Sequence, residues 1–137
     1  MLYDFSMLLQ ITLLALAYII PTMPYAYFWH MVFFKEKYER WQYFGGDASV
    51  PLGFTSMIIQ GIVLAFAFAM LPIDHSSIAN SMLFAGVLGV FFWSTHVVAA
   101  MAKHGATRTM GYLALETVYL VGQFAMFGLL QHLVYVF

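Results

Sequence analysis

Four long apolar segments, separated by short polar connections, dominate the hydrophobic pattern of this 137-residue chain. The segments cover residues 4–34, 52–71, 81–102 and 111–135. Each is long enough for an α-helix that crosses a bilayer, which takes about 20 apolar residues. The pattern therefore predicts an all-α integral membrane protein with a single domain over residues 1–137, folded as an antiparallel four-helix transmembrane bundle.

The first segment is longer than one span requires, so we expect it to tilt or to break. Pro21 and Pro24 are the expected site of a kink, because each removes a backbone donor and crowds the preceding turn. The next ten residues, 35–44, combine charged and aromatic side chains. They predict a short amphipathic helix on the membrane surface, with Trp41, Tyr43 and Phe44 dipping into lipid.

Positive charge is confined to two of the three connections. The five basic residues lie between the first and second segments or between the third and fourth: Lys35, Lys37, Arg40, Lys103 and Arg108. The remaining connection, residues 72–80, has no Lys or Arg. Lys and Arg concentrate in cytoplasmic loops, so we predict a multi-pass inner-membrane protein with both basic connections in the cytoplasm and both termini on the non-cytoplasmic side.

Small and polar residues recur at a spacing of 3, 4, 3, 4 in each of the last three segments, which keeps them on one helical face. The stripes are Gly53, Ser56, Gln60, Val63 and Ala67; Gly86, Gly89, Trp93, His96 and Ala100; and Glu116, Tyr119, Gln123, Met126 and Leu130. Such faces mark contacts between membrane helices. We therefore expect the stripes to converge on a buried polar cluster made of Gln60, His96, Glu116, Tyr119 and Gln123.

His96 and Glu116 flank the short basic loop between the last two segments. At a rise of about 1.5 Å per residue, both lie roughly 7–9 Å below the same end of the helices. Two polar side chains at one depth predict a pair that fixes the register of the two helices. A second interpretation adds His30 to form a metal site from two His and one carboxylate, a set suited to iron or zinc.

Two further interpretations stay open. His30 and His96 could bind haem as axial ligands, with small and aromatic neighbours lining the porphyrin, namely Gly86, Gly89, Phe92 and Trp93. Alternatively, intramembrane Glu and His side chains could mark a path for protons or solutes. Four short spans predict a narrow bundle with no room for a central cavity unless the chain forms oligomers.

Composition excludes several classes of function. Only 8% of the residues are charged and 64% are hydrophobic, whereas soluble domains carry about 25% charged residues. A net charge of −1 argues against nucleic acid as a partner, because phosphate binding needs a basic surface. The chain has no cysteine, which excludes thiolate metal sites, iron–sulfur clusters and disulfides.

Two runs of sequence resemble a loose group of small four-span bacterial inner-membrane proteins of unknown function. They are YFWHMVFFKEKY, residues 27–38, and PLGFTSMIIQG, residues 51–61. The matching positions are Trp29, His30, Phe34, Lys35, Pro51, Gly53, Ser56, Gln60, Glu116 and Gln123. The resemblance implies the four-helix fold and implies no activity.

No catalytic residue is predicted, since no nucleophile and base share a recognisable spacing. We expect a non-enzymatic, membrane-embedded accessory or binding subunit of a larger membrane complex. Its partners would be the lipid bilayer and either other membrane subunits or further copies of the chain. The alternative is an oxidoreductase subunit that carries haem or a metal ion, or a small proton or solute transporter.

Overall fold

The computed structural model describes residues 2–45 and 49–137, with side chains from residue 6 onward. This part of the chain is all-helical, with no strand. Its elements are α1 (Leu2–Tyr27), a π-helical segment (Phe28–Phe33), α2 (Lys35–Arg40), α3 (Val50–Met70), α4 (Ile78–Trp93), a second π-helical segment (Ser94–Val98), α5 (Ala99–Lys103), a 3-10 turn (Gly105–Thr107) and α6 (Met110–Val136).

Four helices in the described ranges are long and apolar enough to cross a membrane: Ser6–Phe33, Val50–Met70, Ile78–Lys103 and Met110–Val136. The all-α class and the four apolar helices predicted from the sequence are thus confirmed. Hydroxyl caps start the last three helices: Ser49, Ser77 and Thr109 each accept a hydrogen bond from a backbone N–H in the first helical turn.

The helices pack in three pairs, α1 with α3, α1 with α6 and α4 with α6. Glycine allows close approach in two of these pairs. A Cβ atom at Gly61 of α3 would lie 2.6 Å from Ile19 Cγ1 on α1, and one at Gly128 of α6 would lie 2.7 Å from Met82 Sδ on α4. Small residues at the contacts therefore let the backbones approach, as is typical of helices that pack in membranes.

The predicted stripe on α3 is correct only in part. Gly53, Ser56 and Gln60 line a cavity, whereas Val63 is 60% exposed and Ala67 is also exposed. The buried face of α3 consists of Gly61, Leu64, Ala65 and Phe68 instead. Helix α1 packs along α3, and the small residues Gly61 and Ala65 let the two backbones approach each other. The face of α3 that carries them is therefore the buried one.

Two expectations about the first connection differ from the structure. The first segment does not break at Pro21 and Pro24: the α-helix continues through both prolines, and it gives way to a π-helical segment at Phe28–Phe33. The short helix predicted within residues 35–44 is present as α2, but the expectation that its aromatic neighbours face lipid is wrong for Trp41, which is 9% exposed, and Tyr38 is fully buried. These aromatic side chains pack into the protein interior, where the Tyr38 hydroxyl has a buried partner.

Candidate functional site

Two π-helical segments, the only ones in the described chain, each carry one of the histidines proposed for the site. In the first, Phe34 N–H donates to Trp29 O, five residues back, and His30 lies within that turn. In the second, Ala99 N–H donates to Ser94 O and encloses His96. π-Helical turns are rare and occur frequently at functional sites. Both segments direct a histidine toward Glu116 of α6.

Glu116 is fully buried at the centre of this arrangement. Its Oε1 atom accepts a hydrogen bond from the Tyr38 hydroxyl and lies 3.2 Å from His30 Nε2. Its Oε2 atom lies 3.2 Å from His96 Nε2, within ion-pair distance but without hydrogen-bond geometry. We treat this second contact as electrostatic, because direction as well as distance decides a hydrogen bond. Within the described residues, Oε2 therefore has no hydrogen-bond partner.

The hydrogen bonds of His30 fix how many protons the pair holds. His30 Nδ1 is 2.8 Å from the carbonyl oxygen of Ala26, which can only accept, so Nδ1 carries a hydrogen. One further proton then lies between Nε2 and Glu116 Oε1. It gives either an imidazolium beside a carboxylate or a neutral imidazole beside a carboxylic acid. In both forms the pair has no net charge.

Two tyrosines from the first connection complete the cluster. The Tyr38 hydroxyl accepts from Trp29 Nε1 at 3.0 Å while it donates to Glu116. The Tyr43 hydroxyl lies 2.7 Å from His96 Nε2. Burial, and then the nearby Glu116 charge, raises the pKa of Tyr38 and the pKa of Tyr43 above the usual tyrosine value. Both hydroxyls therefore keep their protons at neutral pH.

A second chain of hydrogen bonds links three long helices. Gln123 Nε2 on α6 donates to the Tyr18 hydroxyl on α1 at 2.6 Å, and this hydroxyl donates to Gln60 Oε1 on α3 at 2.8 Å. Gln60 Nε2 in turn donates to Ser56 Oγ at 3.0 Å. The two glutamines of the predicted cluster are thus connected through a tyrosine.

A cavity of about 350 Å³ lies beside both groups. Its polar lining comes from His30, Tyr43, Ser49, Ser56, Gln60, His96, Tyr119 and Gln123. The His96 side chain remains 41% exposed, so it is accessible as well as paired. The sequence predicted no room for a central cavity in a single four-span bundle and did not predict this cavity, which forms where α3 and α4 are not packed along each other. The volume falls within the range of small-molecule sites, about 300–1,000 Å³.

The structure brings some of the proposed site residues together and separates others. His30, His96 and Glu116 meet. Of the predicted buried cluster, Glu116, Tyr119 and Gln123 are buried, whereas Gln60 is only partly buried and His96 is exposed, because both line the cavity. Among the side chains of residues 6–45 and 49–137, no group of three or more His, Cys, Asp or Glu has the arrangement of a metal site. Both Nε2 atoms instead face the oxygens of one carboxylate.

The residues proposed to surround a haem are dispersed. Of the four, Phe92 lines the cavity, whereas Gly86 is exposed and a Cβ atom there would meet nothing within 4 Å. Trp93 Nε1 donates to Thr117 Oγ1 at 2.9 Å. This arrangement gives no support to a porphyrin between His30 and His96.

Sequence reasoning missed three tyrosines that hold the two networks together. Tyr18 had a usable signal, because it lies in the middle of an apolar segment, whereas interfacial tyrosines lie near the ends. Tyr38 and Tyr43 had none, because their positions depend on how the chain folds back after α2.

Comparison of the chain with protein-family models, with curated proteins and with solved structures found no match. The resemblance to small four-span membrane proteins therefore stays a prediction.

Proposed function

We propose that this protein is a multi-pass membrane protein that binds a small ligand in the cavity beside Glu116. The observation that carries the proposal is the presence of a histidine in each of the two π-helical segments, where both histidines contact Glu116 and line the cavity. Regular α-helices would be sufficient to hold a bundle together. The two π-helical segments direct polar side chains at one cavity instead, which favours a binding role.

The proposed orientation places the four helices antiparallel across an inner membrane, with the basic connections in the cytoplasm. Contacts such as Trp41 with Tyr112 and Tyr43 with His96 support one common end for these connections. The opposite end carries the loop with Asp74 and, following the charge distribution, lies outside.

Single-cysteine labelling tests this orientation without background, because the chain has no cysteine of its own. Ser76 and Ala106 are small, exposed residues in the two kinds of connection. We expect Ser76→Cys to react with a membrane-impermeant maleimide in spheroplasts, and Ala106→Cys to react only after permeabilisation. The reverse pattern would overturn the orientation and leave the binding proposal standing.

Two glycines provide a matched test of binding. A Cβ atom at either Gly53 or Gly86 would meet nothing within 4 Å, but Gly53 lines the cavity and Gly86 does not. Gly53→Leu should therefore fill the cavity and Gly86→Leu should leave it open. Both variants and the wild type would be purified from native membranes in mild detergent, and bound small molecules identified by mass spectrometry.

We expect the wild type and Gly86→Leu to retain the same non-protein compound and Gly53→Leu to lose it. Retention of the compound by all three proteins, or no stoichiometric compound in the wild type, would refute the proposal. Thermal unfolding in the same detergent shows whether Gly53→Leu is folded. Val50→Phe, at a second exposed position of the cavity wall, provides an independent filling variant.

The wider role as an accessory subunit stays a prediction, as does the oxidoreductase or transporter alternative. An absorption spectrum of the protein purified from native membranes separates haem from the other ligands, because bound haem gives a Soret band.

A further inference from the structure

We infer that the cavity selects an uncharged, lipid-like molecule with a small oxygen-bearing head, an alcohol or a carbonyl compound with a long apolar chain. This inference rests on the proposed function and names the ligand class of the same site.

The lining of the cavity first argues against a charged ligand. Its described residues include no Lys, Arg, Asp or Glu. An ammonium group that entered would lose its hydration without a carboxylate in the lining, which is costly unless the group is paired. A carboxylate would find only the two imidazoles of His30 and His96, and both already face the oxygens of Glu116. The selection is therefore for a neutral head.

The buried Glu116 does not change this conclusion. It lies behind His30, and the pair shares one proton, so its net charge is zero in either proton position. A cationic ligand would need an accessible carboxylate, whereas Glu116 is fully buried and is not among the residues that line the cavity; its Oε1 faces His30 and Tyr38, and its Oε2 faces His96. The charge of Glu116 is compensated within the cluster.

Hydrogen-bonding capacity remains on the two glutamines that line the cavity. A side-chain amide has two N–H donors and two acceptor lone pairs. Gln60 uses one N–H toward Ser56 and accepts once from Tyr18, and Gln123 uses one N–H toward Tyr18. Each can still donate to a ligand oxygen and accept from a hydroxyl.

The rest of the lining suits an apolar chain. Met23, Met31 and Met57 contribute flexible side chains that adapt to irregular shapes. A volume of about 350 Å³ equals about twelve water volumes at about 30 Å³ each, too small for a whole two-chain lipid. Val50 and Phe54 at its border are exposed, so the chain can leave the cavity beside α3.

Matched ligands test the inference. Oleyl alcohol, methyl oleate, oleate and oleylamine share one hydrocarbon chain and differ in the head. Binding would be measured by native mass spectrometry of the wild type, Gly53→Leu and Gly86→Leu, at a pH where oleate is ionised and oleylamine is protonated. We expect the alcohol or the ester to bind at one per chain, at least about tenfold more tightly than either charged ligand.

The same preference should persist in Gly86→Leu and disappear in Gly53→Leu and Val50→Phe. Tighter binding of oleate or oleylamine would overturn the inference while the binding function stands. Binding of none of the four would also overturn it, and the compound retained from native membranes then decides separately whether the binding function holds. Binding of the alcohol without the ester, or of the ester without the alcohol, supports the inference and identifies the head.

Discussion

Replacing Glu116 by leucine or by glutamine tests whether its carboxyl group stabilises the protein interior or is only tolerated there. The side chain is fully buried, and its oxygens face His30, Tyr38 and His96. Leucine has a similar size but no acceptor, so the hydrogen of the Tyr38 hydroxyl and the Nε2 atom of His30 lose their partner, while the bonds of Tyr38 to Trp29 and of His30 Nδ1 to Ala26 remain. Glutamine keeps one oxygen for Tyr38, and its amide N–H can donate to a neutral His30.

The expected loss follows from the number of groups that each substitution leaves unpaired. A buried polar group without a partner costs about 1–3 kcal/mol, so two give an upper range of about 2–6 kcal/mol. Hydrogen bonds between membrane helices average about 0.6 kcal/mol, which sets a lower limit of about 1 kcal/mol for two. We expect Glu116→Leu to lower the free energy of unfolding by about 2–4 kcal/mol, and Glu116→Gln by less than about 1 kcal/mol.

Reversible unfolding in mixed micelles, followed by far-UV circular dichroism, measures these differences. Glu36→Leu is the matched control, because Glu36 is exposed on α2 and its replacement should change the free energy by less than about 0.5 kcal/mol. Combining Glu116→Leu with Tyr38→Phe should cost less than the sum of the single changes, since both remove one interaction. Equal stability of the wild type, Glu116→Gln and Glu116→Leu would refute the central role of the carboxyl group.

Two further predictions concern tyrosine protonation and helix contacts. Burial raises the pKa of Tyr38 and of Tyr43 above the usual value of 10.0, so the unfolded chain releases these protons first and stability should fall as pH rises above about 10. The double variant Tyr38→Phe/Tyr43→Phe should flatten that decline in pH-dependent unfolding, and an unchanged slope would contradict it. Gly61→Ala should destabilise by about 1–3 kcal/mol, because the added Cβ atom lies 2.6 Å from Ile19 Cγ1. Gly53→Ala should be neutral or stabilising in the same unfolding assay, since nothing lies within 4 Å of its Cβ atom.

The sequence predicted what depends on composition and on local spacing. Apolar runs of sufficient length identified the four long helices, because length and hydropathy are properties of contiguous residues. Placing His96 and Glu116 together needed one additional assumption, that a short loop joins neighbouring helices. By contrast, the contacts of Tyr38 and Tyr43 depend on the path of the chain between α1 and α3, for which no local signal exists.

The π-helical segments explain why helical periodicity was less reliable near the site. Each π turn adds one residue, and one residue corresponds to about 100° of rotation around an α-helix. A stripe extended at 3.6 residues per turn through Ser94–Val98 is therefore displaced by one position beyond that segment. Accordingly, Val97 is fully buried, while its neighbour His96 contacts Glu116 and remains partly exposed to the cavity. The same irregularity that interrupts the periodic stripe gives His96 two environments at once, one beside the buried carboxyl group and one facing the cavity, as the proposed ligand site requires.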